Sequence, residues 1–128
     1  MKPENLRYAK THEWVSVDGE VATVGISAFA VEALTDLVFI ELPKVGAQVQ
    51  PEQPFCEVES VKAVSDVYAP VAGEVVAVNE SLPERLEVLS SDPYGEGWIA
   101  KIKMSDDAGL GRLLDHSAYQ RQCAEEGH

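Results

Sequence analysis

Apolar residues in this chain alternate with polar ones more often than they recur at helical spacing. Ala22, Val24 and Ile26 alternate with Val21, Thr23 and Gly25. Trp98, Ala100, Ile102 and Met104 alternate with Lys101 and Lys103, which predicts a strand with one buried and one wet face. Val38, Ile40 and Leu42 fall on one face of a further strand, which Pro43 ends, and VVAV at 75–78 reads as another after Pro70 and Gly73. The strand WVSV at 14–17 runs into Asp18-Gly19, a dipeptide favoured in hairpin turns.

Helical signals are few. The Ser27 hydroxyl can satisfy an orphan amide of a short helix over residues 28–34. Leu110, Leu113 and Leu114 have helical spacing, weakened by Gly109 and Gly111, and Asp115 or Ser117 can cap a last helix carrying Tyr119, Gln122 and Cys123. These place a C-terminal helical segment at about 106–125. A weak symmetry relates VGAQV at 45–49 to VAGEV at 71–75, each a strand-turn-strand signal on either side of Lys62. Two such halves around a central hairpin predict a mainly β flattened barrel or sandwich. A length of 128 residues suits one domain, residues 1–128, with a real core.

Charge narrows the partners. Ten Lys+Arg stand against 22 Asp+Glu, a formal net charge of -12. A polyanion repels nucleic-acid phosphates and anionic lipid, so neither is expected as a partner, and basic docking surfaces on other proteins are. Cys56 and Cys123 lack metal-ligand spacing and read as reduced thiols. The start MKPENLRYAK has no apolar signal core, and no apolar run approaches membrane-spanning length, so a cytoplasmic location is expected.

The usual catalytic signatures are absent: no P-loop, dinucleotide fingerprint, HExxH or GxSxG occurs, and His12, His116 and His128 are scattered. Glu57 and Glu59 alternate on a strand and read as a solvated sheet face, while DPYGEGW at 92–98 reads as turn chemistry. Lys62 is different. The β-like segments 54–61 and 63–68 flank it, so if they pair, the reversal falls at Val61-Lys62. Neither residue suits positive φ, whereas a type I turn tolerates both and points the lysine outward. An exposed lysine beside Glu57, Glu59 and Asp66 keeps its proton, which suits a solubilising edge charge or a handle acylated by another enzyme, and not a catalytic amine.

ESVKA at 59–63 followed by SDVYAPVAGEVVAVN at 65–79 resembles the lipoyl-attachment region of the glycine cleavage system H protein family. LRYAKTHEWV (6–15), VATVGIS (21–27), LVFIELPKVG (37–46), DPYGEGW (92–98) and LLDHSAY (113–119) are similar to that family's segments, in order. Biotin carriers place their lysine between methionines, and 2-oxoacid dehydrogenase lipoyl domains lack the THEW block. Two departures stand out: PERLEVLSS at 83–91 replaces a loop that usually contains Asn-Pro, and Thr35 falls where glycine commonly closes the short helix.

The resemblance implies a lipoyl/biotinyl-type barrel-sandwich hybrid with Lys62 at a hairpin tip, acylated by lipoic acid. It implies a non-catalytic carrier of glycine catabolism and one-carbon metabolism. The arm receives an aminomethyl group from the glycine decarboxylase P protein and hands it to the aminomethyltransferase T protein. The dihydrolipoamide dehydrogenase L protein then reoxidises it. By position, Thr11, Glu13 and Asp66 match residues lining the family's arm cleft, and Glu59 is the favoured mark for lipoylating enzymes. Glu13 is equally a surface acid beside a core Trp14, and Asp66 is equally a solvated charge. A paralogue serving as lipoate donor or relay, and an unmodified β-rich binding module, are the alternatives.

Overall fold

A computed structural model describes residues 5–34, 36–61, 63–105, 111 and 113–126. Thr35, Lys62, His128 and the stretch 106–110 of the predicted helical segment, Leu110 included, lie outside them. The strands are β1 (Arg7–Tyr8), β2 (Glu13–Asp18), β3 (Val21–Ile26), β4 (Leu37–Glu41), β5 (Gln48–Val49), β6 (Pro54–Ser60), β7 (Val64–Tyr68), β8 (Gly73–Val78) and β9 (Ala100–Met104). The helices are α1 (Ala28–Leu34), α2 (Glu87–Ser91) and α3 (His116–Glu126).

The strands form a six-stranded sheet, ordered β1-β2-β3-β9-β8-β5, and a three-stranded sheet, β4-β6-β7. Val15, Val24, Val75 and Ile102 of the first pack with Ile40, Val58 and Val67 of the second in one buried cluster. This is the barrel-sandwich architecture expected, with its core between two facing sheets rather than inside a single closed barrel. The two internally similar segments meet: Gln48 pairs with Glu74 and Val49 with Gly73.

The β2–β3 turn falls one residue later than its sequence suggests. Asp18 pairs with Val21, leaving Gly19 and Glu20 as the loop, and the positive φ of 64° sits on Gly19. Glycine first in a two-residue loop is the type II′ pattern, which matches strand twist. In β4 the predicted face is broken. The register shifts between Leu37 and Phe39, so Ile40 is buried while Val38 is 53% exposed. A bulge adds a residue to one strand and turns the side chains before it out of phase.

Trp14 points away from Val15, into a second cluster with Leu6, Tyr8 and Tyr119 on the other face of the large sheet. Its cross-strand neighbour is Gly25, where a Cβ would lie 2.5 Å from the indole, so only glycine leaves room for the ring. The DPYGEGW turn closes over it, and the indole N–H donates to the Pro93 carbonyl at 2.8 Å. The same cluster anchors α3, which starts where the Asp115 cap places it; just before it, Leu114 forms a bridge with Tyr8 instead of a helical turn.

Both expected caps form. Ala30 N donates to Ser27 Oγ at 3.3 Å, and Ala118 N donates to Asp115 Oδ1 at 2.8 Å. Asp115→Ala should cost about 1 kcal/mol, the usual worth of an N-cap, read as a lower urea midpoint with unchanged slope. An unchanged midpoint would show that α3 is held by Tyr119 packing alone.

Candidate carrier site

The hairpin of β6 and β7 runs from Pro54 opposite Tyr68 to Glu59 opposite Val64. Its reversal is fixed by Ser60, whose amide donates to the Ala63 carbonyl at 2.8 Å while its hydroxyl accepts from the Ala63 amide at 3.1 Å. Val61 N donates to the Asp36 carbonyl at 3.0 Å, which ties the connection to the start of β4. Val61 is 74% exposed and Ala63 is exposed, and the sequence places residue 62 between them. The β pairing inferred from the flanks of Lys62 therefore forms, with Ser60 as a turn-closing residue that periodicity did not single out.

On the outer face of this sheet Glu57 lies opposite both Glu41 and Asp66. Glu59 lies between the exposed Phe39 and Val64. Glu57 and Glu59 share one face, as alternation requires, but are half-buried instead of fully solvated. Asp66 is exposed.

Glu13 departs most from the ordinary behaviour of an acid. At 1% exposure it sits between the sheets, on β2 but holding β7: Oε2 accepts the Tyr68 amide at 3.1 Å. Oε1 accepts a hydrogen bond from the Thr11 hydroxyl. Burial pushes its carboxyl from 4.5 up to about 7, and the Thr11 and Tyr68 hydrogen bonds oppose that rise. The reading of Glu13 as a surface acid is thus wrong, because β2 turns it inward beside Val15. Thr11 stays exposed above it. The structure brings Thr11 and Glu13 together, and sets Asp66 two residues before the strand end whose amide holds Glu13.

Two grooves mark the surface, and the hairpin lines one of them. One, of about 570 Å³, lies at its base beside Thr11 and is lined by Lys10, Pro51, Glu52, Tyr68 and Pro70. The other, about 530 Å³, lies against α1 and includes Val31, Asp36 and Leu37. The unusual 83–91 segment forms its far wall through Leu86, Glu87 and Ser90. Cys56 is buried on the inner face of β6, where desolvation and the nearby Glu41, Glu57 and Glu13 push its thiol up to about 12, so it stays protonated and inert. Both cysteines are free.

Sequence patterns do not mark His12, Tyr119 or Gln122 as site residues. His12 Nδ1 lies 2.7 Å from the Tyr119 hydroxyl, and Gln122 Nε2 donates to the Lys10 carbonyl at 2.8 Å, so all three touch the loop carrying Thr11 and Glu13. No periodicity announces such contacts. The one signal is that His12 lies inside the KTHEW block.

A two-sheet sandwich with a short hairpin exposed at Val61 and Ala63 has the architecture expected of the lipoyl/biotinyl type. The family model described as Glycine cleavage H-protein matches residues 6–126. The chain is 55% identical to the glycine cleavage system H protein of Rhodopirellula baltica, over 98% of this chain and 97% of that one. It is 50% identical to that of Thermotoga maritima, over 94% and 97%. A crystal structure of a glycine cleavage system H protein from Mycobacterium marinum superposes with a TM-score of 0.86 at 37% identity, covering 99% and 100% of the two chains. The chain belongs to the glycine cleavage H-protein family, whose members are carriers and not enzymes.

Proposed function

We propose that this chain, acting as one domain in the cytoplasm, is the lipoyl carrier of a glycine cleavage system, with lipoic acid in amide linkage on Lys62. Family membership implies the lipoyl group. The hairpin supports its placement, because Val61 and Ala63 leave the reversal open to an acylating enzyme. When bound, the group supplies a disulfide that accepts a one-carbon fragment and returns as a dithiol for reoxidation.

The residues around the hairpin fit such a group. Prolines and Ala69 in the basal groove suit an aliphatic arm, and a buried carboxyl beside an exposed hydroxyl suits a cationic cargo. Thr11, Glu13 and Asp66 would hold the loaded arm. From Val64 to Tyr68 the strand advances about 13 Å, with Asp66 midway along it. A cation arriving beside Glu13 favours the charged carboxylate that burial disfavours, so cargo and carboxylate stabilise each other. Glu59, next to the reversal, would mark the site for the lipoylating enzyme.

The partners on this reading are the P, T and L proteins and the lipoylating enzymes, all meeting an acidic surface. No helix among the described residues is long and apolar enough to cross a membrane.

Intact mass after co-expression with a lipoylating enzyme and lipoate tests the proposal. A lipoyl increment localised to Lys62 is expected, and its absence would favour an unmodified binding module. Glu59→Gln should slow lipoylation by about tenfold, the worth of one charge-assisted contact. Equal rates would remove Glu59 from recognition. A lipoylated chain that supports no glycine–bicarbonate exchange with a P protein would be a lipoate donor instead.

A further inference from the structure

The loop carrying Thr11 and Glu13 is held from outside. His12 has φ of +79°, a left-handed conformation that a non-glycine residue keeps when its surroundings impose it. From the α1 side, Ser27 N donates to the His12 carbonyl at 2.9 Å, and the Phe29 ring stacks on the imidazole at 5.0 Å. From α3, the Tyr119 hydroxyl meets Nδ1 at 2.7 Å and Glu126 Oε1 meets Nε2 at 3.2 Å. Gln122 holds the Lys10 carbonyl one residue before Thr11.

One assignment of protons satisfies this whole chain. Ala30 N–H donates to Ser27 Oγ, Ser27 O–H to the Tyr119 oxygen, Tyr119 O–H to His12 Nδ1, and His12 Nε2–H to Glu126. Ser27, Tyr119 and His12 each both give and receive, so no inner link slackens without loosening the next. The chain passes through a residue placed between Thr11 and Glu13.

We infer that His12 is a positioning residue, gripped by Tyr119 and Glu126 while Gln122 holds Lys10, and that α3 thereby fixes Thr11 at the wall of the basal groove and Glu13 behind it. The C-terminal helix is then part of the cargo-sheltering machinery and not only a buttress for the sheet. The sheltering half of this inference rests on the arm-holding role proposed above for Thr11 and Glu13.

Tyr119→Phe is the sharpest test, because it removes one oxygen and keeps the ring stacked on Tyr8 at 4.3 Å. In the whole, unmodified chain, amide hydrogen exchange across residues 9–13 should rise about tenfold, the worth of one buried hydrogen bond. Glu13, followed by NMR titration, should shift down toward the ordinary carboxylate range as water reaches it. His12→Asn tolerates positive φ, so it should fold and show the same two changes. A fall in Tm with both readouts unmoved in both variants would overturn the inference, since α3 would then only stabilise.

The loaded carrier separates this inference from the reading beneath it. Tyr119→Phe should release its one-carbon cargo to water about tenfold faster, on the same hydrogen-bond scale. If Glu13→Gln retains cargo as well as the parent does, the sheltering role itself is overturned. If Glu13→Gln loses cargo and Tyr119→Phe does not, the role assigned to α3 is overturned.

Discussion

Lys62→Arg should yield a folded protein that never acquires a lipoyl group, the largest functional effect expected of any single substitution in this chain. Acylation needs a free amine, and the guanidinium keeps its proton at every pH a protein survives. The change preserves the positive charge, and the contacts that hold the hairpin come from its neighbours. Ser60 closes the turn on Ala63, and Val61 anchors the connection to Asp36. Urea midpoints should therefore agree, while intact mass shows no increment and glycine–bicarbonate exchange falls to background. A lipoyl increment on Lys62→Arg would move the handle to another lysine, with Lys44, Lys101 and Lys103 the first candidates.

The sandwich was readable because its strands are half-buried, and half-burial writes itself as alternation. Ala22, Val24 and Ile26 are buried as the pattern requires, and so are Ala100 and Ile102. The pattern misled where pairing was irregular. In β4 a bulge turned Val38 outward, and nothing in LVFIE marks a register shift. Leu113 and Leu114, read at helical spacing with Leu110, fall before α3: Leu114 exchanges both backbone hydrogen bonds with Tyr8. That contact spans most of the chain's length, and local spacing cannot report it.

The candidate site divides the same way. The flanks of Lys62 announced a hairpin through local β character, and that hairpin forms. The clasp around Glu13 could not be read, because all but one of its supports come from distant parts of the chain. Tyr68 lies on the opposite sheet, Thr11 in the preceding loop, and Tyr119 reaches that loop from the last helix. A glutamate in a strand is expected outside, and only the approach of the two sheets makes this one an interior group.

That interior position makes the pH dependence of stability a direct probe of Glu13. Its folded carboxyl binds a proton near pH 7, against 4.5 for a freely solvated glutamate in the unfolded chain. The folded state thus holds the proton more tightly, and the resulting stabilisation is full below about pH 4.5. It is lost as pH rises to about 7, because the unfolded chain ionises freely while the folded one must bury a charge. The difference amounts to about 3 kcal/mol across that window. Glu13→Gln keeps the shape, accepts the Tyr68 amide and pairs with Thr11, yet has no proton to lose. Subtracting the parent's urea stability from the variant's cancels the other carboxylates. The difference should climb in favour of glutamine by about 3 kcal/mol between pH 4.5 and 8, then level off. A flat difference would mean that Glu13 ionises as an ordinary surface acid. The climb would instead show that the chain forgoes stability at neutral pH to keep a desolvated carboxylate where a cationic cargo can use it.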